Sequence, residues 1–333
     1  MTINIRPLSR KNIILISIII TFILLILLWQ NITRLTSQGY PDDPKLIFRG
    51  RFIKGRYTIP CVVNKAIWLQ SSFGKGSVYA ILDTGSTTFS CPNDITNEGV
   101  VWQDNTSYGW ALPSSRPAKI MVLPHIFLPG CELRDCPVIA YDRLPGESNY
   151  TDPIVVPLSI FKNYAVTIDF KSSRLIISNK KLDLRLASSP FPRNDLDQAV
   201  WLPLIRTYHG TYGPYPVIEG TVNGERIKML IDTGSTGGIW VISSNVGENI
   251  RKKHSNNDSH VAKKDQENIA DWSMGSIKGN AQIMIAPVDE SDLIADVSIG
   301  NDILRNYRIT IDYQNDRVCF ERYKLISRSN NVK

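Results

Sequence analysis

The sequence predicts an all-β protein of two related lobes, preceded by one apolar transmembrane helix. Three observations carry this. The stretch Ala80-Ile-Leu-Asp-Thr-Gly-Ser-Thr87 returns as Met229-Leu-Ile-Asp-Thr-Gly-Ser-Thr236, with Asp83 and Asp232 lying 149 positions apart. Asn163-Tyr-Ala-Val-Thr-Ile-Asp-Phe170 returns as Asn306-Tyr-Arg-Ile-Thr-Ile-Asp-Tyr313 at an offset of 143. Near-equal offsets mark one ancestral unit present twice. Short apolar runs punctuated by turn residues fill both copies, and no helix of convincing amphipathic length is expected after residue 30.

At the N-terminus, Ile13 to Trp29 is an uncharged run of 17 residues, near the lower limit for spanning a bilayer. Arg6, Arg10 and Lys11 precede it, and only Arg34 occurs in the dozen residues after it. That bias places residues 1–12 in the cytoplasm and everything beyond the 13–29 helix on the other side, in a periplasm, a lumen or outside the cell. A cleaved signal sequence is the other reading, but no small-x-small pattern follows the run. Residues 30–45 are polar, contain Pro41 and Pro44, and read as a stalk.

The first lobe is expected over 46–186. Phe48, Phe52, Tyr57 and Ile59 to Val63 open it with a β pattern. Trp68-Leu69 and Ser77 to Leu82 read as short strands divided by a turn at Ser71 to Gly76, and Asp83 ends the second strand. Residues 90–125 are less regular, with Tyr108, Gly109 and Trp110 set among polar residues. Ile120 to Val122, His125 to Leu128 and Val138 to Ala140 are strand-like, with a turn at Pro129-Gly130. Ile154 to Phe161 leads into Tyr164 to Phe170, and Leu175 to Ile177 pairs back on it as a hairpin.

Residues 187–194 are the linker and 195–325 the second lobe, with a polar tail over 326–333. Pro216 to Val222 and Arg226 to Ile231 flank Asn223-Gly224, a strong hairpin signal. Ile239 to Ile242 continues after the motif. Residues 243–271, rich in Asn, Lys, Asp and Ser, read as a helical or irregular insertion or a loop. Ala281 to Ala286, Val297 to Ile299, Arg308 to Tyr313 and Arg317 to Phe320 complete the lobe as strands.

Composition narrows the chemistry. The net charge is +7, but no Lys/Arg cluster interleaved with aromatics is present, so a nucleic-acid partner is not supported. The four His are scattered, and neither His-Glu-x-x-His, Gly-x-Ser-x-Gly nor Cys-x-x-Cys occurs. No metal and no organic cofactor is implied. The five Cys are compatible with an oxidising compartment. Cys131 and Cys136 reach each other only if the chain between them turns, and Cys319 reads as a buried thiol. Asn31, Asn105, Asn149 and Asn257 head Asn-x-Ser/Thr sequons.

What remains is the repeated aspartate. Either the two copies form facing half-sites, or each Asp merely caps its own turn. The residues resemble the signature of the retropepsin-like and pepsin-like aspartic peptidases, apolar-apolar-Asp-Thr-Gly-Ser/Ala. The resemblance covers most of residues 50–322 and extends to Ile299-Gly300 and Leu304 to Tyr307. It implies two acid-protease β-barrel lobes in one chain, active as a monomer. Each lobe would give one catalytic aspartate, Asp83 and Asp232, at the base of a cleft for an extended peptide or protein substrate.

Two carboxylates that close share one proton, so one can act as base toward a water and the other as acid toward the substrate carbonyl. The resemblance further implies that Thr84 and Thr233 lock the two turns together. Gly85 and Gly234 would permit the turns, and Ser86 and Ser235 would hydrogen-bond the carboxylates. It puts Tyr108 and Trp110 in the interval of a hairpin flap, although ordinary surface packing is an equal reading for them. One departure stands out: Pro157 occupies the place of Gly300, which implies a distorted cleft floor in the first lobe. A non-catalytic peptide-binding protein that kept the fold is the alternative from a different class. Pairing of each lobe with a second chain is the alternative assembly.

Overall fold

The computed structural model describes residues 44–73, 76–96, 99–108, 116–143, 154–179, 196–208, 214–257, 269–285 and 293–324. The apolar 13–29 segment, nearly all of the stalk, the 187–194 linker and the polar tail lie outside them. Among the described residues no helix is long and apolar enough to cross a membrane.

The chain is mostly β and forms two closed six-stranded barrels. In the first, Ala66–Phe73 pairs antiparallel with Gly76–Asp83, which pairs parallel with Ile154–Pro157. The ring continues through Phe89–Pro92, Cys131–Tyr141 and Arg116–Leu128 back to Ala66–Phe73. The second barrel repeats this order. It runs from Pro214–Val222 to Glu225–Ile231, Val297–Ile299, Ile239–Val241, Ile277–Ile285 and Ile269–Met274, then back to Pro214–Val222. Closure leaves no barrel edge unpaired.

Apolar side chains of the strands fill each barrel. Leu69, Leu82, Leu133 and Val138 are fully buried in the first barrel, and Val222, Met229, Ile231 and Val297 in the second. Each such side chain contributes roughly 1.5–3 kcal/mol relative to exposure.

A third sheet ties the lobes together. Its strands run in the order Leu196–Pro203, Arg317–Tyr323, Tyr307–Asp312, Ala165–Asp169, Arg174–Ser178, Arg56–Pro60. The two central strands are the repeated Asn-Tyr segments, paired antiparallel with Thr167 opposite Thr310. These two threonines are each other's repeat counterparts, and their hydroxyls meet at 2.8 Å. The pseudo-twofold axis of the molecule therefore passes between them.

Most strand positions follow the sequence reading. At the Asn223-Gly224 turn both residues have positive φ, 51° and 77°, as a tight type I′ hairpin requires. Three expectations need correction. The first-lobe hairpin is longer than the apolar pattern indicated: the ladder runs to Phe73 opposite Gly76. Its polar residues fit in two ways: Gln70 faces solvent, while the buried Ser71 donates its hydroxyl to the Leu69 carbonyl at 3.2 Å.

The second is the expectation of no long helix after residue 30: the polar insertion, for which a helix is one open reading, carries one at Ser244–Asn257. Val246, Gly247 and Ile250 are buried from its first two turns, and Val246 and Ile250, one turn apart, are its apolar anchors. Gly247 lets the helix lie close to Ile285, since a Cβ there would sit 3.1 Å from that side chain. Two apolar anchors in a run of Asn and Lys are too weak a period to read from sequence.

The third concerns Pro157. The Ile154–Pro157 strand pairs in register with Gly76–Asp83, Pro157 opposite Asp83, and a single 3-10 turn follows at Leu158–Phe161. Val297–Ile299 followed by the short helix Asn301–Leu304 is the same arrangement in the second lobe. Pro157 adopts φ −72° and ψ 137°, ordinary extended values for proline, so the strand is not bent. What it lacks is a donor: in the second lobe the Gly300 N–H bonds the Gly238 carbonyl, and proline has no N–H to do so.

Candidate active site

Both aspartates emerge where a buried strand ends. Ala80 and Leu82 precede Asp83, and Leu230 and Ile231 precede Asp232, all of them buried. After each Asp the chain turns sharply and the carboxylate caps its own turn. The Gly85 N–H donates to Asp83 Oδ1 at 2.7 Å. The Gly234 and Ser235 N–H groups donate to Asp232 Oδ1 at 2.9 and 3.1 Å. This is the bonding for which Asp is suited at tight turns.

The two turns are brought together across the pseudo-twofold axis. The Thr84 hydroxyl donates to the Ile231 carbonyl at 2.5 Å and accepts from the Thr233 N–H at 2.9 Å. The Thr233 hydroxyl donates to the Leu82 carbonyl at 2.7 Å and accepts from the Thr84 N–H at 3.1 Å. Both threonines are buried. Each hydroxyl thus satisfies one donor and one acceptor of the opposite lobe, which valine of the same shape cannot do.

Each carboxylate lies against the other lobe's glycine. A Cβ on Gly85 would sit 2.7 Å from Asp232 Cγ, and one on Gly234 would sit 2.5 Å from Asp83 Cγ. Glycine is required here for the approach of the opposing carboxylate. Neither residue has the positive φ that would demand glycine for the turn itself. Asp83 and Asp232 lie close enough for the charge of one to act on the other. Burial first, and the charge of Asp232 second, hold the Asp83 pKa well above the ordinary carboxylate range. A carboxyl pair of this kind holds one proton between its members.

Of the two motif serines, Ser235 does bond its carboxylate, through its N–H, but neither serine hydroxyl reaches one. The Ser86 hydroxyl donates to the Thr88 carbonyl at 2.9 Å. The Ser235 hydroxyl is buried without a partner, near the position a Gly300 Cβ would take. The hydroxyl that reaches a carboxylate belongs to Ser298, which donates to Asp232 Oδ2 at 2.7 Å. Sequence reasoning missed it. The available signal was a serine between Val297 and Ile299 in an otherwise apolar strand, since a buried hydroxyl needs a partner.

Two further residues were not foreseen. The Asn301 side-chain amide donates to the Thr233 carbonyl at 2.8 Å and braces the second turn from below. Thr87 donates to the Tyr215 hydroxyl at 3.3 Å, a contact from first lobe to second. Tyr215 is buried, and its pKa is raised first by that burial, with a contribution from the charge of Asp83.

The interval assigned to a flap is a long hairpin, Val100–Tyr108 with Arg116–Leu128. Tyr108 is the last residue of its first strand, opposite Arg116. The Tyr108 side chain and Trp110 lie outside the described residues. Among the described residues, no group of three His, Cys, Asp or Glu side chains is placed to hold a metal ion. No protein-family model and no curated protein matches the chain.

Proposed function

We propose that this chain is an aspartic endopeptidase that hydrolyses peptide bonds of extended peptide or protein substrates, with Asp83 and Asp232 as the catalytic pair. The observation that carries the reading is the reciprocal approach of each carboxylate to the other lobe's glycine. Two repeat-related aspartates that merely capped their own turns would have no reason to meet. Their shared proton equips one member to accept a proton from water and the other to donate to the substrate carbonyl. No covalent intermediate is needed. Because one chain supplies both halves, the protein acts as a monomer. The apolar 13–29 segment anchors it, with the lobes on the extracytoplasmic side.

The test is cleavage of a peptide library by the full-length chain in detergent across a pH series, with Asp83→Asn and Asp232→Asn alongside. A bell-shaped profile abolished in both variants is expected. Full activity retained in either variant overturns the mechanism. Tight binding of library peptides without cleavage at any pH would transfer the reading to a peptide-binding protein.

A further inference from the structure

The two halves of the pair are related by a repeat, yet their surroundings are not equal. Asp232 accepts two backbone N–H groups on Oδ1 and the Ser298 hydroxyl on Oδ2. Ser298 pairs with Leu230, two residues before Asp232, in the parallel ladder. In the first lobe the residue in the same register, opposite Ile81 and two before Asp83, is Val155. Its offset from Ser298 is the 143 of the second repeat. In the register where the second lobe carries a hydroxyl donor, the first lobe carries an isopropyl group that can donate nothing.

We propose that Ser298 breaks the symmetry of the pair, fixing the negative charge on Asp232 and leaving the shared proton on Asp83. This rests on the peptidase reading above and goes beyond it by assigning the two roles. A hydroxyl donating to a carboxylate stabilises the ionised form and is stronger there than on a neutral acid. The upward displacement of Asp83 by burial and by the charge of Asp232 is consistent with that assignment. Among the described residues, Tyr215 is a titratable group that feels the charge of the pair. Tyr215 is held neutral by burial and adds no competing charge.

The chemistry then has one direction. Asp232 takes a proton from water as the water oxygen bonds to the peptide carbonyl carbon, while the Asp83 proton passes to the carbonyl oxygen. The product is a neutral gem-diol, with the proton now on Asp232 and the charge on Asp83. In collapse, Asp232 gives its proton to the amide nitrogen and Asp83 recovers one from a diol hydroxyl. The C–N bond breaks, acid and amine leave, and the starting protonation is restored. Ser298 is a positioning residue in this scheme, since it touches only Asp232.

The test titrates each aspartate alone, by carboxyl-carbon NMR of the full-length chain labelled at aspartate. Asp83→Asn isolates Asp232, and Asp232→Asn isolates Asp83. Asp232 is expected to titrate at the lower pH. Adding Ser298→Ala to Asp83→Asn should raise the Asp232 value by about 1–2 pH units, the worth of one hydrogen bond to a charged group. The same change in the Asp232→Asn background should leave Asp83 in place. The mirror substitution, Val155→Ser, should lower Asp83 and serves if Ser298→Ala does not fold. Asp83 titrating below Asp232, or no response of Asp232 to Ser298→Ala, overturns the assignment. In the otherwise native enzyme, Ser298→Ala should move the acid limb of kcat/KM upward. Absence of cleavage at every pH with the titration order intact would overturn the peptidase reading and leave the Ser298 assignment standing.

Discussion

The hydroxyls of Thr84 and Thr233 make four hydrogen bonds across the junction of the lobes, each serving one backbone acceptor and one backbone donor of the opposite lobe. They and the Thr167–Thr310 pair mark the pseudo-twofold axis at two levels of the molecule. The geometry of the aspartate pair thus hangs on a contact made by neither aspartate.

Thr84→Val keeps the shape and strands the Ile231 carbonyl and the Thr233 N–H in a buried site. A loss of about 2–4 kcal/mol of stability is expected in urea unfolding. Thr233→Val should cost the same. The double variant should cost clearly less than the sum, because the four bonds form one network. Strict additivity would mean that the two turns are held independently.

Gly85→Ala and Gly234→Ala each place a methyl group into the opposing carboxylate. Displacement of a carboxylate by even an ångström is expected to lower kcat/KM by at least ~100-fold. The circular dichroism spectrum should stay native. Activity within a few-fold of the parent in either variant would show that the carboxylates do not meet as described.

Asp83→Asn should change stability in a pH-dependent direction. The folded chain holds the Asp83 proton more tightly than the unfolded chain, whose value lies near 3.8. The stability this confers is fully present below that value and is lost as pH rises through the raised one. Asparagine cannot ionise and escapes the loss. Melting temperatures of parent and variant should nearly agree at about pH 3, with the variant higher by about 2–4 °C at pH 7. A gap that narrows as pH rises would contradict the assigned shift.

Glu132 behaves in the opposite sense. Hydrogen bonds from Arg134, then Arg49, and from His125 hold its pKa down to about 2. The distances are 2.7, 3.1 and 2.9 Å. Its stabilising effect is present above about pH 4.5, its ordinary value, and is lost as pH falls toward 2. Glu132→Gln should therefore lower the melting temperature at pH 7, with the difference closing by pH 2. Calorimetry at four or so pH values suffices to follow it.

All five cysteines are free thiols. Cys131 and Cys136 lie on one extended strand, Cys131–Tyr141, beyond disulfide reach. Burial pushes the Cys131 thiol up to about 12. Reductant should leave the melting temperature unchanged, and thiol reagents should react fully only after unfolding. A reductant-dependent melting shift would reveal a bridge formed outside this fold.

Much of this protein was legible in the linear chain. The repeat offsets of 149 and 143 announced two like units. Apolar alternation located most strands, and the Asn223-Gly224 turn carried its own backbone geometry. Asp83, Thr84 and Gly85, with Asp232, Thr233 and Gly234, stood out because they recur as a block. These signals are local or periodic, and local signals survive in one dimension.

The tertiary structure decided everything that joins one lobe to the other. That Gly85 is glycine for the sake of Asp232 is a contact across 147 positions of chain, invisible to any reading of the turn itself. Val246 and Ile250 made a helix out of a polar run because packing on one narrow face outweighed a poor period. Pro157 left its strand straight because the extended backbone there already suits proline. Ser298, a single hydroxyl in an apolar strand, gained its meaning only from the carboxylate 2.7 Å away. Sequence specifies which residue types recur and at what spacing. Which of two equivalent carboxylates gains a donor depends on distances of a few ångströms, and only the folded chain sets those.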